Sequence, residues 1–266
     1  MRIAVAGARG QLGAAVVHAF ASGHEVIPLV REDLDIADDH AVVSAMERLR
    51  PDAVINCAAY NDVDGAEDHP VEALTVNAFG VRALAGGAAA IGAVFVHYGS
   101  DFVFDGMAAR PYTEDDRPDP RSVYAASKLL GEWFAADAPR WYVLRVESLF
   151  GHVPGGRGDK GSVAGIVKKL MAGEETIVFA DRTVSPTYVV DAANATRHLL
   201  EHAAPSVCIT ASIPVTTRGR LWRSKSRANL VLSRGWCRSG WPTWRSARSG
   251  RNTVRCRTGS WWRPAL

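Results

Sequence analysis

Four cysteines in 266 residues are too few and too irregularly spaced for a disulfide framework, and none has metal-ligand spacing. Reduced thiols in a cytoplasmic protein are the expectation, with no metal. No apolar run reaches the roughly 20 residues that a membrane-spanning helix needs. Arg2 leads at once into Ile3-Ala4-Val5-Ala6 and then glycines, which is not the basic-then-apolar pattern of an export signal. A membrane is therefore not expected as a partner. The most informative absence is acid after Glu201. Residues 1–201 hold 18 Lys+Arg and all 28 Asp+Glu, a net −10, whereas residues 202–266 hold 13 Lys+Arg and no acid, a net +13. The same tail carries six of the eight tryptophans and three of the four cysteines. The whole chain is 47% hydrophobic and 22% charged, the balance of a globular protein.

Arg2 to Ala6 reads as a short buried strand running into Gly7-Ala8-Arg9-Gly10-Gln11-Leu12-Gly13. Leu12, Val16, Val17 and Phe20 then repeat at helical spacing. Strand, glycine loop and helix in that order suit a dinucleotide: the glycines permit a tight turn and close backbone approach, and the helix N-terminus offers N–H groups and a positive dipole end to a pyrophosphate. Gly7, Gly10, Gln11, Leu12 and Gly13 are the candidate phosphate loop.

A second strand, Glu25 to Leu29, closes with Val30-Arg31. At this point an acid favours free ribose hydroxyls and an arginine favours a 2′-phosphate. Arg31, together with Arg9, favours NADPH, with NADH as the alternative; Asp33 and Asp35 lie just beyond. The pattern continues with a helix over 39–49, a strand over 53–56 running into Cys57-Ala58-Ala59-Tyr60, and a long alanine-rich helix over 70–91. A strand over 93–98 follows, ending in Gly99-Ser100-Asp101, then a Pro/Asp/Gly-rich loop over 102–121 and a strand over 140–146. Alternating strands and helices predict an α/β fold, a doubly wound parallel sheet with right-handed crossovers. Residues 151–161 read as a glycine-rich loop.

Tyr124 and Lys128 are four residues apart in Val123-Tyr124-Ala125-Ala126-Ser127-Lys128. On a helix both side chains lie on one face. A free tyrosine, with a pKa of about 10, is a poor proton donor or acceptor near neutrality. An adjacent ammonium favours the phenolate and brings the group into working range. The spacing alone is equally that of an ordinary helix surface.

With these stretches in order, the chain resembles the extended short-chain dehydrogenase/reductase superfamily and, within it, the dTDP-4-dehydrorhamnose reductase family of sugar-nucleotide reductases. The likeness is carried by Gly7 to Gly13, Leu34-Asp35-Ile36, Arg50-Pro51-Asp52 through Tyr60, Val63-Asp64-Gly65-Ala66-Glu67 and Val76-Asn77-Ala78. It continues through His97 to Gly106, Pro111 to Asp116, Tyr124 to Lys128, Gly131-Glu132 and Val184 to Tyr188, and so covers about residues 1–200. The resemblance implies that Tyr124 is the general acid for a 4-keto sugar, that Lys128 lowers its pKa and binds the nicotinamide ribose, and that Ser100 hydrogen-bonds the reacting oxygen. It places Asp35 and Ile36 near the adenine and Cys57, Ala58, Ala59, Tyr60 and Asn77 around the cofactor. It places Val63, Phe102, Ser148 and Arg182 on the substrate side.

Two positions depart from the family pattern. Phe102 stands where members often have Tyr, and Ser148 stands where some have Trp, next to Glu147. Related dehydratases carry an acidic pair after the reactive hydroxyl residue; Phe102 occupies the second place, which argues against dehydration. The reading is an NADPH-dependent reductase of a nucleotide-linked 4-keto-deoxysugar. A sugar-nucleotide epimerase and a non-catalytic NAD(P)-binding regulatory subunit are the alternatives, and a homodimer is allowed.

The sequence divides into a dinucleotide-binding domain over 1–150, a partial substrate lobe over 151–203 and a basic Trp/Arg-rich tail over 204–266. The tail shows no sustained helical or strand period. Arginine interleaved with aromatics suits nucleic acid. Enrichment in Trp, Arg, Ser, Gly and Cys without acids is also what an out-of-frame, G+C-rich coding region yields, and that reading is preferred; nucleic acid is not expected as a partner.

Overall fold

The computed structural model describes residues 1–108, 110–156, 161–179, 185–211 and 253–256. The strands are β1 (Arg2–Ala6), β2 (Glu25–Leu29), β3 (Ala53–Asn56), β4 (Val94–Ser100), β5 (Trp141–Val146), β6 (Thr176–Phe179), β7 (Val207–Thr210) and β8 (Thr253–Cys256). Six of them form a parallel sheet in the order β2-β1-β3-β4-β5-β7, and β6 pairs antiparallel with β8. The helices are α1 (Gln11–Phe20), α2 (Asp39–Leu49), α3 (Gly65–Asp68), α4 (Pro70–Leu74), α5 (Gly80–Ala90), α6 (Val123–Ala136), α7 (Ser162–Met171) and α8 (Val189–Glu201).

Both faces of the sheet are covered, so its strands read as near-continuous apolar runs. Ile3, Val5, Ile55, Val96, Tyr98 and Leu144 share one buried cluster with Val16 and Phe20 of α1 and with Ala192 and Leu199 of α8. Ala4, Ala6, Val54, Phe95 and Val143 share the other with Val42 and Met46 of α2, Val81 and Leu84 of α5, and Ala135 of α6. The alternation along β1 sends neighbouring residues to opposite layers. Because α1 and α2 lie on opposite faces, the chain reverses its winding at β1 and β3. That reversal opens a crevice at the carboxyl ends of those two strands, where ligands of open α/β sheets bind.

Local signals account for several boundaries. Asp38 caps α2 through a 3.0 Å bond from the Ala41 amide, and Arg50 ends it in the left-handed region at φ 46° before Pro51. Ser122 caps α6 through the Ala125 amide at 3.1 Å, which fixes where the helix bearing Tyr124 begins.

Three features differ from the sequence expectation. The helix over 70–91 is α4 and α5 joined by a π-helical turn, Thr75–Phe79. Strand β4 extends to Ser100, because pairing with β5 continues as far as Ser100 opposite Val146. Val207–Thr210, assigned to the tail from its lack of acid, is β7, the sheet's sixth strand, with α8 packed beneath it. Four half-buried residues are too short a run to show a period, and β7 holds its place by backbone pairing with β5. Beyond Ala211 the tail, apart from the backbone of β8, lies outside the described residues. Among the described residues no helix is long and apolar enough to cross a membrane.

Candidate active site

The glycine loop sits against the end of β3. Gly7 has φ +75°, and a Cβ there would stand 2.6 Å from the Ala58 nitrogen, so any side chain would push loop and strand apart. The small residues Cys57-Ala58-Ala59 are the other half of that close fit. Asn56, the last residue of β3, shapes this turn: its Oδ1 accepts from the Ala58 amide at 3.0 Å and its Nδ2 meets His97 Nδ1 at 3.2 Å. Burial, with the Lys128 charge, holds His97 well below its ordinary pKa, so its imidazole is neutral. Gln11 reaches across to the Gly151 carbonyl at 2.7 Å. The amides of Leu12 and Gly13, in the first turn of α1, have no carbonyl within the helix to pair with.

Beyond β2, Arg31 and Asp35 form an ion pair at 3.3 Å on the surface, while Arg9 pairs with Glu32 at 3.3 Å. Glu32 is an acid that the motif reading passed over, because attention fell on the arginines. Ile36 is buried under α5.

Asn77, in the π-helical turn, is 1% exposed. Its Oδ1 accepts from the Tyr60 amide at 2.9 Å, and its Nδ2 donates to the Tyr60 carbonyl and to Ser127 Oγ, each at 3.0 Å. Ser127 in turn donates to the Tyr124 carbonyl at 2.7 Å. One amide thus ties the turn after β3 to the helix of Tyr124 and Lys128. Extra-wide turns of this kind recur at functional sites. Tyr124 packs with Tyr60 and Val63 in a small apolar cluster with Ala66 and Ala73. The Phe102 ring meets the Tyr124 ring edge-on, with centroids 5.6 Å apart.

Lys128 is buried and donates to the Tyr98 carbonyl at 2.7 Å, two residues before Ser100. Burial brings its ammonium down to about 8, opposed by Glu132 and Cys57. Tyr124 is pushed up to about 12, first by burial and next by the Asp101 carboxyl, with the Ser100 hydroxyl opposing. The direction is opposite to the sequence expectation of a lowered phenol: burial and the Asp101 carboxyl set it, and Tyr124 carries its proton at neutral pH.

Ser100 Oγ donates to Asp101 Oδ1 at 3.3 Å and accepts from the Phe102 amide at 3.2 Å. Asp101 lies near Glu147 of the β5 end, close enough for each carboxyl to act on the other's titration. Burial raises Asp101 to about 6; burial and then Asp101 raise Glu147 to about 8. Glu147 Oε2 accepts from the Ser185 amide. Glu147, at the end of the neighbouring strand, places a second carboxyl near Asp101, although position 102 is Phe. Sequence offered only the neighbourhood of Glu147 to Ser148 as a signal. Ser148 itself has φ +41°, a left-handed conformation that a serine adopts at some cost. Arg182 lies outside the described residues. Among the described residues no group of three or more His, Cys, Asp and Glu is placed to hold a metal.

The RmlD substrate binding domain family model matches residues 1–213. The chain belongs to this family. RmlD-family relatives include a dTDP-4-dehydrorhamnose reductase of Burkholderia thailandensis, 36% identical over 204 residues, covering 76% of this chain and 67% of that one. One from Mycobacterium tuberculosis is 41% identical over 203 residues, covering 73% and 64%. The spore coat polysaccharide biosynthesis protein SpsK of Bacillus subtilis is 34% identical, covering 76% and 70%. Among solved structures, a dTDP-4-dehydrorhamnose reductase of Clostridium acetobutylicum superposes with a TM-score of 0.74 at 33% identity, covering 80% of this chain and 74% of that one. That of Bacillus anthracis in complex with NADP gives 0.73 at 29%, covering 79% and 74%. The chain spans about two thirds of the length of the curated relatives it matches.

Proposed function

We propose that this RmlD-family chain is an NADPH-preferring reductase of a nucleotide-linked 4-keto-deoxysugar. The observation that carries the reading is the placing of Ser100, Tyr124 and Lys128 together at the carboxyl end of β4, with Tyr124 buried beside Ser100 and Lys128 held on the Tyr98 carbonyl. The names of the relatives support the substrate class, and the spread from rhamnose to spore coat polysaccharide leaves the sugar itself to experiment.

The donor set fits a dinucleotide. The first turn of α1 aims amides at the crevice, Gly7 leaves no side chain in the close approach to Ala58, and Arg31 stands exposed past β2. Bound there, the nicotinamide would supply hydride. Asp35 and Ile36 would lie near the adenine, with Cys57, Ala58, Ala59, Tyr60 and Asn77 about the cofactor. Tyr124, protonated at neutral pH, gives its proton to the sugar's carbonyl oxygen as that oxygen gains charge. Ser100 offers a hydroxyl to the same oxygen. Lys128, positive and dry, stabilises the phenolate left behind. Val63 and Phe102 wall the substrate side around Tyr124.

The test is NADPH oxidation with dTDP-4-keto-6-deoxy-L-mannose as substrate, beside fluorescence titration of NADPH. The expected result is turnover in the wild-type chain, reduced on the order of 100-fold or more in Tyr124→Phe with NADPH binding retained. Product formation without net NADPH consumption would make it an epimerase, and binding without turnover of any 4-keto nucleotide sugar would make it a regulatory subunit.

A further inference from the structure

Gly131-Glu132 is among the stretches that carry the family likeness, yet no step of the reductase chemistry uses Glu132. On α6 it continues the stripe of Tyr124 and Lys128, at i, i+4 and i+8, and all three side chains are buried. Helical side chains lean towards the N-terminus of their helix, so Glu132 reaches back towards the lysine. Its carboxylate meets Arg145 of β5 in a fork: Arg145 Nε lies 3.1 Å from both Oε1 and Oε2, and Nη2 donates to Oε2 at 2.8 Å. The arginine and glutamate side chains are 7% and 6% exposed. Burying both charges costs desolvation that apolar residues of similar volume would avoid. What the fork adds is direction, since two donors in one plane fix both angle and distance between α6 and β5.

The fork rests on Gly99, the register partner of Arg145 and the residue before Ser100. A Cβ at Gly99 would stand 2.1 Å from Glu132 Oε1 and 3.2 Å from Arg145 Cγ. One turn before Glu132, Lys128 donates to the Tyr98 carbonyl at 2.7 Å. Two successive members of the stripe thus hold α6 against the two residues of β4 that precede Ser100. Arg145 also supports the loop over 102–121. Its guanidinium lies over the Phe104 ring, 5.0 Å from the centroid, and Phe104 stacks on Tyr112 with centroids 4.4 Å apart. Tyr112 accepts from the Ala108 amide at 3.0 Å and donates to Asp105, which closes the loop on itself. Phe102, whose ring meets Tyr124, begins that loop.

Resting on the reductase reading, we propose that Glu132 and Arg145 are positioning residues for the reaction: their fork sets Tyr124 and Lys128 against the end of β4 and seats the loop that carries Phe102.

The pair moves no proton and acts through Tyr124 and Lys128. A misplacement of about 1 Å in a reacting group can cost on the order of 100-fold in rate, so an angle fixed by two parallel bonds matters to kcat beyond its part in folding. The phosphate loop lies on β1 and α1, away from the fork, so NADPH affinity should depend on it little. The keto sugar should feel both effects, through the displaced Tyr124 and through the loop of Phe102.

The experiment uses two full-length variants that lose the fork without leaving one charge buried alone. Arg145→Lys keeps a cation opposite Glu132 but has a single nitrogen. The double variant, Glu132→Met with Arg145→Met, replaces the pair by apolar side chains of similar volume. Each is compared with the wild type in denaturation midpoint, NADPH affinity by fluorescence, and kcat and KM with NADPH and dTDP-4-keto-6-deoxy-L-mannose. Amide hydrogen exchange over residues 123–129 adds a readout that needs no turnover. The expectation is a midpoint and NADPH affinity near those of the wild type, kcat lower by about 10- to 100-fold, a raised KM for the sugar and faster exchange over 123–129. Wild-type kcat in a variant that keeps the midpoint overturns the proposal, and so does a loss of NADPH affinity that matches the loss of kcat. Loss of folding in both variants overturns it too, because the pair would then hold the fold rather than the site. Absence of turnover of any 4-keto nucleotide sugar by the wild type overturns the reductase reading; faster exchange in the folded variants then still shows the clamp, and unchanged exchange overturns it.

Discussion

Gly131 of α6 lies against Asn77 so closely that a Cβ on the glycine would stand 2.2 Å from the Asn77 carbonyl oxygen. Asn77 is the residue whose amide grips Tyr60 and Ser127, so this contact sets how near the helix of Tyr124 comes to the turn after β3. Gly131→Ala must move one backbone away from the other. The expected cost is about 1–3 kcal/mol of unfolding free energy, read by chemical denaturation, with kcat falling more than NADPH affinity because Tyr124 is displaced. A variant of unchanged stability would show that the helix has room to shift.

How much of this was legible beforehand follows from the range of each signal. Hydrophobic runs and the glycine loop are local, so β1 to β5, α1 and α2 could be read from sequence. Tyr124 and Lys128 share a helix face and were legible for the same reason. The partners that define the site are not local. Asn77 bridges to Ser127 across 50 positions, and Asp101 meets Glu147 across two strands. Neither distance has a period. The raised phenol of Tyr124 was illegible because it is set by burial and by Asp101, neither of which the spacing to Lys128 reports. β7 was missed because a four-residue strand is specified by its neighbour β5 more than by its own pattern.

Arg31 is 80% exposed and pairs with Asp35 at 3.3 Å, whereas Arg9 is drawn towards Glu32. An exposed guanidinium past β2 is available to a 2′-phosphate at the loss of a weak surface pair. Arg31→Ala should therefore weaken NADPH by about tenfold and leave NADH nearly unchanged, measured by fluorescence titration of both. Glu32→Gln should act the other way, freeing Arg9 and tightening NADPH. Equal effects on the two cofactors would place the 2′-phosphate elsewhere.

The family match ends at residue 213, ten residues or so after acids disappear from the sequence. The basic tail is proposed to be an out-of-frame product. The coding DNA after about codon 212 should then yield, in an alternative frame, a segment with acids restored and a likeness to the RmlD-family ending. If neither alternative frame does so, the tail is the chain's own. In that case its interleaved arginine and tryptophan call for a binding assay with single-stranded nucleic acid at two salt concentrations.

Stability should depend on pH through the two carboxyls at the β4 and β5 ends. Asp101 and Glu147 sit at about 6 and about 8 in the fold, above the ordinary carboxylate values they regain on unfolding. From about pH 4 to about pH 8 the folded chain therefore binds more protons than the unfolded one. The stabilisation is fully present below the unfolded pKa values and is lost as pH rises through the folded ones. Thermal unfolding of the wild type should accordingly show Tm falling from pH 5 to pH 8. Glu147→Gln keeps a polar group near Asp101 and removes the group that titrates highest, so its Tm should fall less over that interval. It should also exceed the wild-type Tm above pH 8, where the native pair must carry two part-buried charges. Parallel slopes in the two proteins would mean that water reaches the pair and that neither carboxyl is raised by burial.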